Sequence, residues 1–371
     1  MTKTLYKGPI AQILKPLQGV CGIVEKRSHL PILASVLLRQ DGHILTMMAS
    51  DIEMQGATII ENAAAGQWAY AVSADKMTAI LRAMPSSGEV AITADDEQRI
   101  TIKSGSFRAR ILSMPGDDYP IMASDTDSAV RVTIPASHLA DILTRTHRAM
   151  AQQDIRYYLN GALLDLAGST LAIVATDGHR LAYAAAQTSA PADCRQQSIL
   201  PRKAVLTLIK LLAGRIDEIA VTLSSNQARF AIGNTEFISK TIDGKFPDYN
   251  RIMPPMETAP MAISNAGFAE SLSRASLLTS DKFKGIRTIF GSGELQITAT
   301  NAEAEEASES IAIDYAGAEI DAGFNVNYII DGLASIPGET IQLRIRNSTD
   351  SVLMTDPDHD TFRYIVMPMR I

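Results

Sequence analysis

The chain repeats itself three times, and that constrains its fold more than any other feature. The runs Leu45-Thr-Met-Met-Ala-Ser-Asp51, Leu171-Ala-Ile-Val-Ala-Thr-Asp177 and Leu295-Gln-Ile-Thr-Ala-Thr-Asn301 each follow a Gly-containing turn and end in a small residue plus Asp or Asn. Asp51 and Asp177 lie 126 positions apart, and Asp177 and Asn301 lie 124 apart. A second marker recurs in step. Met77-Ile80-Leu81-Met84, Val205-Leu208-Ile209-Leu212 and Val326-Ile329-Ile330-Leu333 place apolar residues at i, i+3, i+4 and i+7, the buried stripe of an amphipathic helix. Two independent markers on one period predict three tandem homologous domains, each of roughly 120 residues. Their expected spans are 1–125, 126–253 and 254–371. The junctions around 116–127 and 247–257 are rich in Pro and Asp, and each holds a Tyr followed closely by Ile-Met.

Each unit also carries an earlier helical stripe: Ile10-Ile13-Leu14-Leu17, Leu139-Ile142-Leu143, and a less clean Phe268-Leu272-Ala275. Pro16 should kink or tighten the first, and Ser137 is the expected N-cap of the second. The two stripes within a unit start 67, 66 and 58 positions apart, which hints that each domain is a doubled half-unit. Most of the remainder alternates in short Val-, Ile- and Thr-rich segments such as Arg99-Ile-Thr-Ile-Lys103. Turn signals at Asp41-Gly42, Asp177-Gly178 and Gly291-Ser-Gly293 join several of them. Strands in runs with two segregated helices per unit predict α+β domains with antiparallel sheets.

No run approaches the 18 apolar residues of a membrane span, and the start lacks a signal-peptide core. The two cysteines, Cys21 and Cys194, fall in different repeats, so a reducing cytoplasm is the expected location. A net charge of −7 argues against coating nucleic acid over the whole surface but leaves room for a localised basic face.

Several passages invite a chemical reading. Asp177-Gly178-His179-Arg180 tempts one toward a hydrolase, yet Asp-Gly reads first as a hairpin turn. Asp356-Pro-Asp-His-Asp360 has the acid spacing of a calcium loop but lacks its Gly and its closing Glu, so it reads as a solvated hairpin. The histidines lack metal-ligand spacing, and no phosphate loop or nucleophile elbow is present, so neither metal nor cofactor is expected. Glu303, Glu305 and Glu306 read as a wet rim. Helix phase turns Lys203, Thr207 and Lys210 outward on one helix, Asp141, Arg145 and Arg148 on another, and Arg274 on a third. Further cations sit at Arg202 and in Lys282-Phe-Lys-Gly-Ile-Arg287. Cations on equivalent helices of an acidic chain point to a phosphate-backbone surface. The last helix offers Tyr328, Asp331 and Ser335 outward without a cation. The apolar ending Tyr364-Ile-Val-Met-Pro-Met-Arg-Ile371 reads as a final edge strand or as a groove wall lined by adaptable Met side chains.

In-order matches across the whole chain then carry a resemblance. They are Leu30-Pro-Ile-Leu33, Asp154-Ile-Arg-Tyr-Tyr-Leu-Asn-Gly161, Ala175-Thr-Asp-Gly-His-Arg-Leu-Ala182, Lys245-Phe-Pro-Asp-Tyr249, Gly323-Phe-Asn-Val326 and Val366-Met-Pro-Met-Arg370. On these the chain resembles the bacterial DNA polymerase III beta subunits, the sliding clamps. The resemblance implies a head-to-tail homodimer whose six clamp domains close a ring around duplex DNA without reading its sequence. Its function would be to tether the polymerase III catalytic subunit, the clamp loader, and other polymerases and repair proteins, as a processivity factor with no chemistry of its own.

The resemblance also assigns residues. A partner-peptide groove would draw Leu159, Thr176, Gly178, His179, Arg180 and Leu181 from the second domain. Pro247, Arg251 and Ile252 would come from the linker, and Tyr328, Val366, Met367, Pro368, Met369 and Arg370 from the third domain. DNA would meet Arg27, Gln153, Tyr158, Arg202, Lys203 and Lys210. The dimer would join Ala109 and Ile111 to Leu277 and Leu278. Asp75 on a DNA-facing helix and the small Ala109 depart from the common pattern. They are the only support for a specialised paralogue over the housekeeping clamp.

Overall fold

The structure is a computed structural model that describes residues 3–25, 30–95, 98–123, 129–280 and 284–370. The first repeat runs β1 (Lys3–Pro9), α1 (Ile10–Cys21), β2 (Ser35–Ser50), β3 (Met54–Ser73), α2 (Ala74–Arg82), β4 (Glu89–Ala94), β5 (Arg99–Ser104) and β6 (Phe107–Pro115). The second runs β7 (Val130–Pro135), α3 (Ala136–Thr146), β8 (Gly161–Ala167), β9 (Thr170–Thr176), β10 (Arg180–Gln187), β11 (Arg195–Pro201), α4 (Arg202–Leu212), β12 (Glu218–Leu223), β13 (Gln227–Ile232) and β14 (Thr235–Lys240). The third runs β15 (Met261–Ser264), α5 (Asn265–Ala275), β16 (Gly285–Gly291), β17 (Glu294–Thr300), β18 (Glu306–Ala312), β19 (Ile320–Asn325), α6 (Val326–Leu333), β20 (Thr340–Arg344), β21 (Val352–Asp356) and β22 (His359–Val366).

The doubled half-unit is visible in that order. The second and third repeats each consist of strand, helix and three strands, twice over. In the first, β2 and β3 each cover what two strands cover elsewhere. The Asp41-Gly42 signal therefore falls inside β2, where Gly42 takes φ +58 and the register against β3 slips between Gly42 and Ile44. Each of the six helices among the described residues follows a strand with no residue between. The joint is Pro9, Pro135 or Pro201 in three cases. In the others Ser73, Ser264 and Asn325 cap the helix, accepting from the N–H of Lys76, Gly267 and Asn327. A proline ends the strand ladder because it has no N–H, and a Ser or Asn side chain satisfies an otherwise orphaned helical donor.

The stripes are buried as their spacing requires. Helix α1 buries Ile10, Ile13, Leu17 and Val20 and continues through Pro16. Helix α6 buries Val326, Ile329 and Leu333. Each such side chain is worth about 1.5–3 kcal/mol when fully withdrawn from water.

Chain contacts define two compact units that cut across the middle repeat. One comprises 1–137 with 207–241 and holds the sheet β1-β4-β5-β6-β3-β14-β13-β12-β7, with β2 paired to β3. The other comprises 138–206 with 242–371 and holds β11-β8-β9-β10-β22-β21-β20-β15, plus the smaller sheet β18-β17-β16-β19.

Five expectations are corrected. Ser137 is not an N-cap: α3 begins at Ala136, whose N–H donates to Asp217 O at 2.8 Å, leaving Ser137 inside the first turn. Arg145 does not face outward; it is buried and donates to Asp141 at 2.9 Å and to the equally buried Asp356 at 2.8 Å. Asp356 is therefore not part of a solvated loop, although the hairpin it starts is present. Thr207 and Ser335 are also buried, Ser335 by donating its hydroxyl back to Asp331 O. Finally, β22 is no edge strand, since β10 and β21 pair with it on either side.

Candidate functional site

The hairpin between β9 and β10 forms a corner built from its own side chains. Asp177 Oδ1 accepts from the N–H groups of His179 (2.9 Å) and Arg180 (3.1 Å). The Thr176 hydroxyl accepts from Gly178 N–H at 3.1 Å and donates to Arg180 O at 2.5 Å. Gly178 takes φ +91, and a Cβ there would lie 2.8 Å from Arg156 Nη1, so the turn requires glycine.

Arg180 ties this corner to the third repeat. Its Nε donates to Asp177 Oδ2 at 2.9 Å, while Nη1 donates to Asp331 Oδ2 at 2.5 Å and to the Tyr364 hydroxyl at 3.2 Å. The guanidinium lies 4.6 Å from the Tyr328 ring centroid, and His179 stacks beside that ring at 6.3 Å. Burial works against the Arg180 charge, but Tyr364, Asp331 and Asp177 outweigh it and hold the group protonated. Asp331, which the sequence left without a cation, also stands 3.7 Å from Arg148.

The chain ending runs along this corner. Arg180 pairs with Val366, then Met367 N–H donates to His179 O at 2.9 Å and Met369 N–H to Gly323 O at 2.8 Å. Pro368, with no N–H to satisfy, sits between these two anchors. The side chains of Met367, Pro368 and Met369 are half-buried, and Arg370 is exposed. Leu159, Leu181 and Val366 are fully buried, so they form the floor beneath the surface rather than its lining. Leu159 and Leu181 belong to one core cluster with Phe246 and Ile365, against which Tyr158 and Ile252 pack. Pro247 is half-buried and Arg251 exposed. The arrangement offers apolar and adaptable side chains on a pinned backbone. Asp177 is spent on two N–H groups and a guanidinium, so it is no general base, and the hydrolase reading has no support here.

A neighbouring loop carries the DNA candidates of the second repeat. Asn160 closes it, accepting from Asp154 N–H and donating to Asp154 O, both at 2.9 Å. Gln153 is exposed at φ +56, Tyr158 is half-buried, and Ile155 is 96% exposed. Arg156 holds the Asp154 carboxyl down to about 2 and donates to Asp177 O at 3.0 Å, linking loop and corner. Ile155 and Arg156 were missed as candidates; Ile155, an apolar residue inside a polar loop, was the available signal. Lys203 and Lys210 are exposed on α4. Arg202 instead donates to the carbonyls of His147 (3.2 Å) and Met150 (3.3 Å), which ties the start of α4 to the end of the preceding helical segment. Arg27 and Lys282 lie outside the described residues. Other predicted cations are committed, Arg274 to Glu309 and Arg287 to Asp321.

The dimer candidates lie at strand edges. Residues 107–112 of β6, including half-buried Ala109 and Ile111, pair only with β5 among the described residues. At the end of the small sheet, β18 pairs only with β17. Leu278 is half-buried, and Leu277 is 80% exposed, in the helical turn after α5.

Comparison with known proteins agrees along the full length. Residues 10–123, 133–248 and 250–370 match the N-terminal, central and C-terminal domains of the DNA polymerase III beta subunit. The Beta sliding clamp of Pseudomonas aeruginosa is 38% identical over 362 residues, covering 97% of this chain and 98% of that one. That of Escherichia coli K12 is 35% identical with the same coverage. The crystal structure of the Pseudomonas aeruginosa sliding clamp bound to griselimycin superposes with a TM-score of 0.94 at 37% identity, covering 99% of each chain. The Bartonella birtlesii clamp, also bound to griselimycin, gives 0.93 at 26% identity with both chains fully covered. With its three repeats accounted for one by one, the chain belongs to the DNA polymerase III beta subunit family, the non-catalytic beta sliding clamps.

Proposed function

We propose that two copies close head to tail into a ring around duplex DNA, and that the Arg180 corner with its Met-rich neighbour takes short partner peptides. The ring carries the processivity function. It holds the polymerase III catalytic subunit, the clamp loader and other polymerases or repair proteins on DNA in the cytoplasm. Its domains are 1–125, 126–253 and 254–371, a three-part division supported by the family matches over 10–123, 133–248 and 250–370.

One observation carries the dimer: a rule of strand completion. The last strand of the second repeat, β14, pairs with β3 of the first, and the last strand of the third, β22, pairs with β10 of the second. The same step would seat β6, the last strand of the first repeat, on β18 of the third. Among the described residues of one chain β6 and β18 both keep that edge open. A second copy completes both edges, and exposed Leu277 beside β18 supplies apolar area for the contact. Lys203, Lys210, Gln153 and Tyr158 are the DNA-facing candidates, with phosphate contacts that carry no sequence preference.

The test is retention on DNA. Loaded with clamp loader and ATP, the protein should stay on a nicked circular plasmid and leave once the circle is linearised. Equal loss from both forms would refute encirclement. For the groove, Met367→Ala with Met369→Ala should lower peptide affinity at least tenfold while the dimer persists in sedimentation; unchanged affinity would move the peptide site elsewhere.

A further inference from the structure

A cavity of about 270 Å³ opens beside Arg251 and Ile252 and is lined on its far side by Arg344, Arg346 and Asp350. Its charges are unbalanced. Asp350, the one carboxylate in the lining, is already taken: Arg346 Nε donates to its Oδ2 at 2.8 Å and Asn347 Nδ2 at 3.0 Å. Arg251 reaches only Asp248 outside the cavity, at 3.0 Å in an exposed pair.

Arg344 has no acidic partner among the described residues. Nη1 donates to the Thr355 hydroxyl at 2.7 Å and Nη2 to Gln342 Oε1 at 3.1 Å, both neutral groups. Its Nε is buried with no acceptor. Burial also lowers the Arg344 pKa, as expected of a guanidinium without a counter-charge. A buried donor without an acceptor is uncommon, and because this one is closed off from the cavity, what the cavity offers a ligand is the positive charge of Arg251, Arg344 and Arg346 against Asp350 alone. Position narrows the choice of ligand, because Arg251 and Ile252, which line this cavity, also belong to the proposed peptide groove.

We propose that this cavity is a carboxylate pocket continuous with the groove, taking an Asp or Glu side chain that flanks the apolar anchors of a bound partner peptide. The proposal rests on the groove reading. A planar carboxylate suits a guanidinium fork, and charge-assisted hydrogen bonds are about twice as strong as neutral ones. The pocket would therefore select among partners that share the same apolar anchors.

The test uses the full-length protein and a fluorescein-labelled, C-terminally amidated peptide from the polymerase catalytic subunit that the wild type binds. Glu or Gln is placed in turn at each of three positions on either side of the anchors. At one position Glu should bind about tenfold more tightly than Gln. Arg344→Met should erase that advantage while leaving the Gln peptide's affinity unchanged, and Arg346→Gln should reduce it. Equal affinity of Glu and Gln at every position would overturn the proposal and leave the groove standing. An advantage that survives Arg344→Met would overturn it as well. A free α-carboxylate in place of the amide that outperforms Glu would assign the pocket to a chain terminus and overturn the side-chain assignment. If no peptide binds, the groove reading fails separately. The pocket is then judged by the Arg344 Nε–H resonance during titration with N-acetylglutamate N-methylamide, where a saturable shift supports it and none overturns it.

Discussion

The corner at Asp51-Ile52-Glu53-Met54 and the corner at Asp177-Gly178-His179-Arg180 share one backbone and the side-chain bonds that shape it, and differ in what surrounds them. Asp51 Oδ1 accepts from Glu53 and Met54 N–H at 3.0 and 2.7 Å, as Asp177 does from His179 and Arg180. The Ser50 hydroxyl accepts from Ile52 N–H at 3.1 Å, the role Thr176 plays for Gly178. Lys240 N–H donates to Glu53 O at 2.9 Å, and Met367 N–H to His179 O at the same distance. Side chains then divide the two. The first corner is sealed by Tyr119, whose buried hydroxyl accepts from Ser50 N–H and donates to Ser35 O, both at 3.0 Å. The second is held by the Arg180 charge network and flanked by half-buried methionines. Repetition thus supplied the scaffold, and of these two copies the second carries the side chains of the proposed recognition surface.

If that division is right, Arg180→Met should have the largest effect. Removing one partner of a largely buried pair strands the other, so about 3 kcal/mol should be lost, read as an earlier urea transition. Tyr119→Phe forfeits two neutral hydrogen bonds at the first corner and should cost about 1–2 kcal/mol. A Tyr119 loss as large as that at Arg180 would break the comparison. The Tyr119 variant also tests pH. Burial raises this hydroxyl to about 12, so its contribution is complete below its unfolded value near 10 and is lost as pH rises through about 12. Tyr119→Phe should therefore flatten the stability profile between pH 10 and 12, and an unchanged alkaline slope would exclude Tyr119 as its source.

Exchanging the turn residues gives effects no larger than about that size. Gly178→Ile should cost about 2 kcal/mol, from φ +91 and the close approach of Arg156. The converse change, Ile52→Gly, relieves a β-branched residue at φ +69 and should gain less than about 1 kcal/mol, since glycine's added unfolded-state freedom offsets part of the relief. Denaturation midpoints check both, and a destabilised Ile52→Gly would show that Ile52 makes contacts outweighing its strain. The smallest effect is local. The Asp154 carboxyl is depressed to about 2 by Arg156, so this link is complete above the ordinary value of 3.8 and fades as pH falls through about 2. Carboxyl chemical shifts should follow that course without a global transition, and an Asp154 midpoint near 4 would remove the link between loop and corner.

Most of the fold was legible in the sequence, because its signals are local and repeated. Both helix stripes and the Asp-terminated strands recur on one period, and all six helices lie where those stripes fall. Helix phase failed where a distant residue buried a polar one. Arg145 looked outward because nothing near it in sequence revealed Asp356, 211 positions away. The ending was mistaken for an edge because its partner strands, β10 and β21, lie on either side of it only after folding. In the proposed groove, the motifs pick out Arg180 and half-buried methionines together with Leu159, Leu181 and Val366, which lie buried beneath them. A motif marks the residues that build a surface as readily as those that line it.

The direct joints between strand and helix fix where this chain tolerates being lengthened. One residue inserted between Pro201 and Arg202 would turn every later position of α4 by about 100°, moving Val205 and Leu208 off the buried face and Lys203 onto it. The same insertion at the Gly105-Ser106 tip between β5 and β6 would only enlarge an exposed turn. Labels and probes for single-molecule work on this protein therefore belong at hairpin tips of this kind, well clear of the six joints.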